Sequence, residues 1–118
     1  MNIASVTDRF AVLADVDSSE LSRWSPLVEE ACRLVQSRCR VREPDSEQTG
    51  RLELLSAAYA FRLYAMGGGQ LSQFVAGDVR LTLPADAADR AERLWRELEA
   101  NNADLIEGGG FIFGRVIS

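Results

Sequence analysis

Cys32 and Cys39 are the only thiols in a chain that contains no histidine and no lysine. Those three facts decide most of the chemistry open to it. Without histidine, the commonest general base and the commonest neutral metal ligand are both missing. The two cysteines stand seven positions apart, which matches no zinc spacing. On one helix they would be separated by about 10 Å of axial rise, beyond the roughly 7 Å between Cα atoms that a disulfide tolerates. Both are expected to be reduced packing residues, the usual place of a free thiol. The glycine runs Gly67-Gly68-Gly69 and Gly108-Gly109-Gly110 do not match a phosphate loop, which needs Gly-x-x-x-x-Gly-Lys-Ser/Thr between strand and helix. Asp15, Asp17 and Glu20 begin like a calcium loop, but the glycine at its sixth position and the glutamate at its twelfth are absent. They read as a helix-capping turn. Asp78, beside Gly77, reads as a turn aspartate that bonds its own backbone. No nucleophile, base or metal set converges, so catalytic, cofactor and metal sites are all expected to be absent.

Two further groups have a binding reading and a packing reading. Tyr59, Phe61 and Tyr64, with Trp24 and Trp95, could line a ligand pocket, yet core or interface packing is the stronger reading for aromatics at helical spacing. Arg33, Arg38, Arg40 and Arg42 crowd the end of the second helix, where cations complement the helix dipole. A DNA-backbone contact is their functional alternative. The net charge of −5 and the isoelectric point near 4.7 argue against non-specific nucleic-acid binding, which draws on clustered cations. They suit a surface past which DNA moves without sticking.

The elements that must position these residues follow from composition and period. At 118 residues, 47% hydrophobic and 26% charged, the chain is expected to be one globular domain, residues 1–118. Its apolar runs fall short of the roughly 20 residues that span a bilayer, and Met1 to Asp15 lacks a secretory pattern. No membrane is expected, and the location is cytoplasmic. Thr7 caps a short first helix from about Asp8 to Ala14, which Asp15 to Ser19 then breaks. A second helix starts at Ser25-Pro26, with serine as cap, and runs to Cys39 or Arg40; the turn Glu20 to Trp24 is its other candidate start. Pro44 marks a loop. Asp45 or Ser46 then caps a third helix of about 20 residues, about 30 Å long, apolar almost all round. It is interrupted after Arg51 only by Glu53, Ser56 and Arg62, and ends at the first triple glycine.

Val79, Leu81 and Leu83 alternate with Arg80 and Thr82 as a half-buried strand does, with a bulge or turn at Ala76-Gly77-Asp78. Pro84-Ala85-Asp86 opens a fourth helix. Its apolar stripe is Ala87, Ala91, Leu94, Leu98 and Leu105, with Trp95 at the flank. The acid-first pairs Asp86 to Arg90, Asp89 to Arg93 and Glu92 to Arg96 mark its wet face. The apolar tail Phe111 to Ile117 is β-prone and is expected to pair with the Val79 to Leu83 strand. The fold class is therefore mainly α: a bundle of about four helices, one short, with a small β ribbon formed by the segment after the third helix and the C-terminal tail.

This order of elements, with Leu52-Glu53-Leu54-Leu55-Ser56-Ala57-Ala58-Tyr59-Ala60-Phe61 and then Phe74-Val75-Ala76-Gly77-Asp78-Val79, resembles the head-tail connector (head completion, adaptor) proteins of tailed bacteriophages and prophages. The resemblance spans nearly the whole chain and is sharpest from Phe74 to Val79. It implies a structural ring subunit, not an enzyme, made in the bacterial host cytoplasm and carried in the virion. Such a subunit sits between portal and tail or stopper proteins, and DNA passes nearby without sequence-specific contact. Two features of the residues agree with assembly. A helix apolar all round must be covered by something, and a two-stranded ribbon is marginal alone and gains by pairing its edges with another chain. The expected intersubunit surface is the third helix and the ribbon, through Tyr64, Phe74, Val75, Gly77, Val79 and Leu81, hinged at Gly67, Gly68 and Gly69. The rival reading is a small helical adaptor that binds a peptide or small molecule between helices two, three and four, with Tyr59 and Trp95 in the pocket.

Overall fold

Asp45 starts the longest helix with a reciprocal pair of hydrogen bonds. The Gln48 N–H donates to its carboxylate at 2.8 Å, and its own N–H donates to Gln48 Oε1 at 3.0 Å. This is a capping box, which satisfies two donors the first turn would otherwise leave free. In the computed structural model, which describes residues 1–66 and 86–107, the helices are α1 (Ile3–Ala14), α2 (Ser25–Ser37), α3 (Ser46–Ala65) and α4 (Ala87–Asn101). A 3₁₀ helix, Ser18–Trp24, lies between α1 and α2. The mainly helical bundle is as the periodicity predicts. The ribbon expected from Phe74 to Leu83 with Phe111 to Ile117 lies outside the described residues.

α3 is the hub. Each of its residues from Gln48 to Ala65 is buried or half-buried, because α1, α2 and α4 all pack on it while α1 also packs on α2. One core cluster joins Val6 and Phe10 of α1, Leu27, Val28 and Ala31 of α2, and Ala57 and Phe61 of α3. The other joins Val35, Leu52, Leu55, Ala58 and Trp95 to Leu105 and Ile106 beyond α4. The apolar circumference of α3 is thus covered within one chain.

Three boundaries differ from the sequence reading. α1 begins at Ile3, about a turn and a half earlier than Asp8, because Asn2 is the cap: its Oδ1 accepts from the N–H groups of Ala4, at 2.8 Å, and Ser5, at 3.4 Å. Thr7 lies inside the helix and its hydroxyl donates back to the Ile3 carbonyl at 2.9 Å, the usual recourse of an interior threonine. α1 ends at Asp15, left-handed at φ 57°, a conformation aspartate tolerates better than most residues. Asp17 then caps the 3₁₀ helix through the Ser19 N–H, at 3.1 Å, so the acidic cluster is the capping turn expected of it.

Pro26 does sit in the first turn of α2, but Ser25 is not the cap. The chain enters α2 directly from the 3₁₀ helix, with Trp24 at the cap position and no side-chain capping bond. α2 also stops at Ser37. Beyond it Cys39 bridges Ile106 in antiparallel fashion, flanked by the bonds Arg40 N–H to Leu105 C=O (2.7 Å) and Glu107 N–H to Arg38 C=O (2.9 Å). Leu105 and Ile106 are fully buried. Seating them captures the segment that follows α2, at the expense of its last helical turn.

On α4 the buried row is Ala87, Ala91 and Trp95, while Leu94 and Leu98 are half-buried. Trp95 therefore lies at the centre of the packed face, not at its flank. It is fixed there by an edge-on contact with the ring of Tyr59, centroids 5.0 Å apart.

Candidate interaction surface

Tyr64 is the one expected interface residue within the described region. Its ring stands edge-on to Phe10 (5.7 Å, 85°) and to Trp24 (4.9 Å, 83°), a favoured aromatic geometry, and it belongs to the fringe of the first core cluster. Burial, and then the nearby charge of Asp15, push its phenol up from the ordinary value. Two ring contacts of Tyr64 are thus made inside the subunit, and the residue is half-buried. Phe74, Val75, Gly77, Val79 and Leu81, with the hinge glycines Gly67, Gly68 and Gly69, lie outside the described residues.

Tyr59 and Trp95 do not flank a pocket. The space between α2, α3 and α4 is lined by Leu34, Val35, Arg38, Tyr59, Trp95 and Ile106 and holds no room for a water molecule. The Tyr59 ring is further closed in by the guanidinium groups of Arg38 and Arg62, 6.0 Å and 5.8 Å from its centroid. That arrangement favours cation–π attraction over ligand entry.

Nor do the arginines after α2 form one cationic face. Arg33 pairs with Glu30, Arg38 approaches Glu99 at 3.8 Å, and Arg40 Nε donates to the Ile106 carbonyl at 3.2 Å. Arg42 alone of the four stands exposed without an ion-pair or hydrogen-bond partner among the described residues. Arg33 is paired within its own helix, and only Arg38 and Arg40 reach another segment of the chain.

The two thiols are free, as expected. Cys32 is buried between α2 and α3, and burial, partly offset by a Ser56 contact, pushes its thiol up from the ordinary value. A protonated, enclosed thiol is a packing group and not a nucleophile. Cys39 is half-buried, and its thiol donates weakly to the Val41 carbonyl at 3.2 Å.

The polar groups that tie one helix to another are ones whose partners the sequence does not reveal. Glu53, on the buried face of α3 and 8% exposed, accepts from the Asn2 N–H and from the Ser5 hydroxyl, both at 2.9 Å. The Asn2 bond is the main cause holding its carboxyl below the ordinary value, with Ser5, Arg9 and the N-terminal charge adding to it against the effect of burial. Arg51 Nε donates to Asn102 Oδ1 at 2.7 Å, and its two terminal nitrogens reach Asp104 at 2.6 Å and 3.3 Å. The start of α3 is thereby tied to the end of α4. Glu92, expected on the wet face, also accepts from Arg62 of α3 at 2.7 Å, besides Arg96 at 3.0 Å. The hydrogen bond from Arg62 is the leading cause that keeps its carboxyl low. Glu53 did carry a sequence signal: a lone acid inside an apolar stripe needs a partner when buried. Its partners, fifty residues away along the chain, carried none.

A cleft of about 360 Å³ opens between the segment after α2 and the start of α3, lined by Met1, Gln36, Cys39, Val41, Arg42, Pro44, Thr49 and Leu52. Its lining mixes apolar and polar side chains, with Leu52 buried and Gln36 and Arg42 exposed, and its size falls in the range of small ligand sites. Among the described residues no group of three or more acidic, cysteine or histidine side chains could hold a metal, and no helix is long and apolar enough to cross a membrane. No protein-family model, curated protein or solved structure matches the chain.

Proposed function

We propose that this chain is a structural, non-enzymatic subunit of a ring that joins the portal or head of a tailed phage or prophage to its tail and keeps the DNA channel continuous. The observation that carries the reading is the order of elements in the sequence. A capped first helix, an acidic break, two helices of which the second is alanine- and aromatic-rich, and the Phe74 to Val79 motif are followed by a closing helix. The acidic balance of −5 suits a wall past which DNA slides, since clustered cations are what would hold it. The enclosed α3 supports a subunit that is stable as a monomer and assembles when it meets portal. In this reading the intersubunit contacts fall to Phe74, Val75, Gly77, Val79 and Leu81, joined by Tyr64, with Gly67 to Gly69 as hinge. Ring closure requires two different surfaces to meet head to tail.

Mixing the purified chain with the portal protein encoded beside it, followed by sedimentation and negative-stain microscopy, tests this. The expected result is a ring on the portal, abolished by Val79→Asp without loss of helical signal. A chain that stays monomeric with portal and with the neighbouring tail proteins sinks the proposal.

A further inference from the structure

The antiparallel bridge after α2 leaves one side of the segment Cys39 to Val41 without backbone partners among the described residues. Cys39 and Ile106 form the non-hydrogen-bonded pair of an antiparallel bridge, since the bonds are made by their neighbours, Arg40 to Leu105 and Glu107 to Arg38. In that pattern the backbone groups of the central residue point away from the partner strand. The Cys39 N–H turns back to the Gln36 carbonyl at 3.2 Å. The Cys39 carbonyl and the Val41 N–H have no partner among the described residues, and the Val41 carbonyl accepts only the weak thiol of Cys39.

This edge borders the 360 Å³ cleft, which Cys39 and Val41 both line. Its floor includes the buried Leu52, with Met1, Val41 and Pro44, while Gln36, Thr49 and Arg42 stand at the rim. Arg42 is exposed and has no ion-pair partner among the described residues, although the chain carries 18 acidic residues against 13 arginines.

We propose that the Cys39–Val41 edge and its cleft form a docking site for an extended peptide segment of a partner protein, one that presents an acidic residue to Arg42 and an apolar residue to the Leu52 floor. The main-chain donor and acceptor would be met by a third strand, the mode of recognition in which backbone bonds give affinity and alternate side chains give specificity. A strand places every second side chain on the same face, so a segment with the acid between two apolar residues can set one kind toward the cleft and the other toward the rim. A small molecule could fill the floor, but it would leave the Cys39 carbonyl and the Val41 N–H unmatched. The inference is independent of the ring reading, because it uses neither Tyr64 nor any residue from Gly67 to Leu81.

The test uses the full chain, labelled with ¹⁵N, titrated with the peptide acetyl-Thr-Val-Glu-Val-Thr-amide. Amide shifts are expected at Gln36, Val41, Thr49 and Leu52. A peptide with lysine in place of the glutamate should bind about three- to fivefold weaker, the scale of one exposed charge pair, and Arg42→Glu should reverse that preference. A peptide N-methylated at the donor amide should lose binding. The proposal fails if millimolar peptide produces no shift at these amides, or if the N-methylated peptide binds equally well. It fails too if the same amides shift with protein concentration alone, which would give the cleft to a second copy of this chain.

Discussion

Glu53 shows how much one side chain can decide. Its carboxylate receives the Asn2 N–H and the Ser5 hydroxyl, so it fastens the first turn of α1 to the middle of α3. Its pKa lies below the ordinary glutamate value of 4.5. The stability it contributes is therefore complete above that value and is lost as pH falls through the lower, folded-state pKa. Wild-type protein should lose denaturation midpoint more steeply below about pH 4.5 than Glu53→Gln, which lacks this carboxylate and keeps only the linkage of the remaining acids. Parallel slopes for the two proteins would show that the carboxylate does not carry the linkage. At neutral pH Glu53→Ala, which leaves both donors unmatched, should cost about 1 to 3 kcal/mol in a urea titration. Tyr64 belongs at this scale as well. Its ring contacts with Phe10 and Trp24 mean that Tyr64→Ala should lower the stability of the isolated subunit by about 2 kcal/mol. A substitution there tests packing first and assembly second, so it cannot by itself report on an interface.

Among the elements, α3 was the most legible in sequence and remains the most informative in structure. Its start was narrowed to Asp45 or Ser46, and the box between Asp45 and Gln48 decides for Asp45. It ends at Ala65 with Met66 at the cap position, just before the triple glycine at which the sequence places its stop. Local chemistry of this kind is written in neighbouring residues and can be read without knowing the fold. Gly50 gives a clean test of the helix: a Cβ there would meet nothing within 4 Å. Gly50→Ala should therefore stabilise the subunit by about 0.5 to 1 kcal/mol, seen as a raised urea midpoint. A destabilised variant would mean that the site is not in an open helical position. The boundaries that sequence placed wrongly were settled at a distance. α2 loses its expected last turn to the pairing of Cys39 with Ile106, and Trp95 lies in the middle of its face, where the Tyr59 ring meets it edge-on.

Across the whole molecule, the chief consequence is that α3 needs no neighbour. Three helices of the same chain enclose it, and Arg51 and Glu92 lock α4 to it with hydrogen bonds of 2.6 to 3.3 Å. Assembly, if the ring proposal holds, depends on the residues from Phe74 to Leu81 and on Tyr64. Val79→Asp should then leave the urea midpoint of the monomer within about 0.5 kcal/mol of wild type while removing the ring from micrographs of the portal complex. A large fall in monomer stability would place Val79 in the subunit core instead.

The sequence by itself determined the helical class, the start of α3 to within one residue, and the absence of any histidine or lysine side chain. Each of these depends on residue type or on spacing within a turn or two, where the physics is local. Only the tertiary structure decided that the apolar circumference of α3 is covered internally, that Tyr59 and Trp95 close on each other, and that Glu53 and Arg51 have distant partners. It also left the Cys39–Val41 edge beside an open cleft. Burial and pairing across fifty residues depend on which surfaces meet, and the free energy of those meetings is shared among chain segments whose own patterns do not record it.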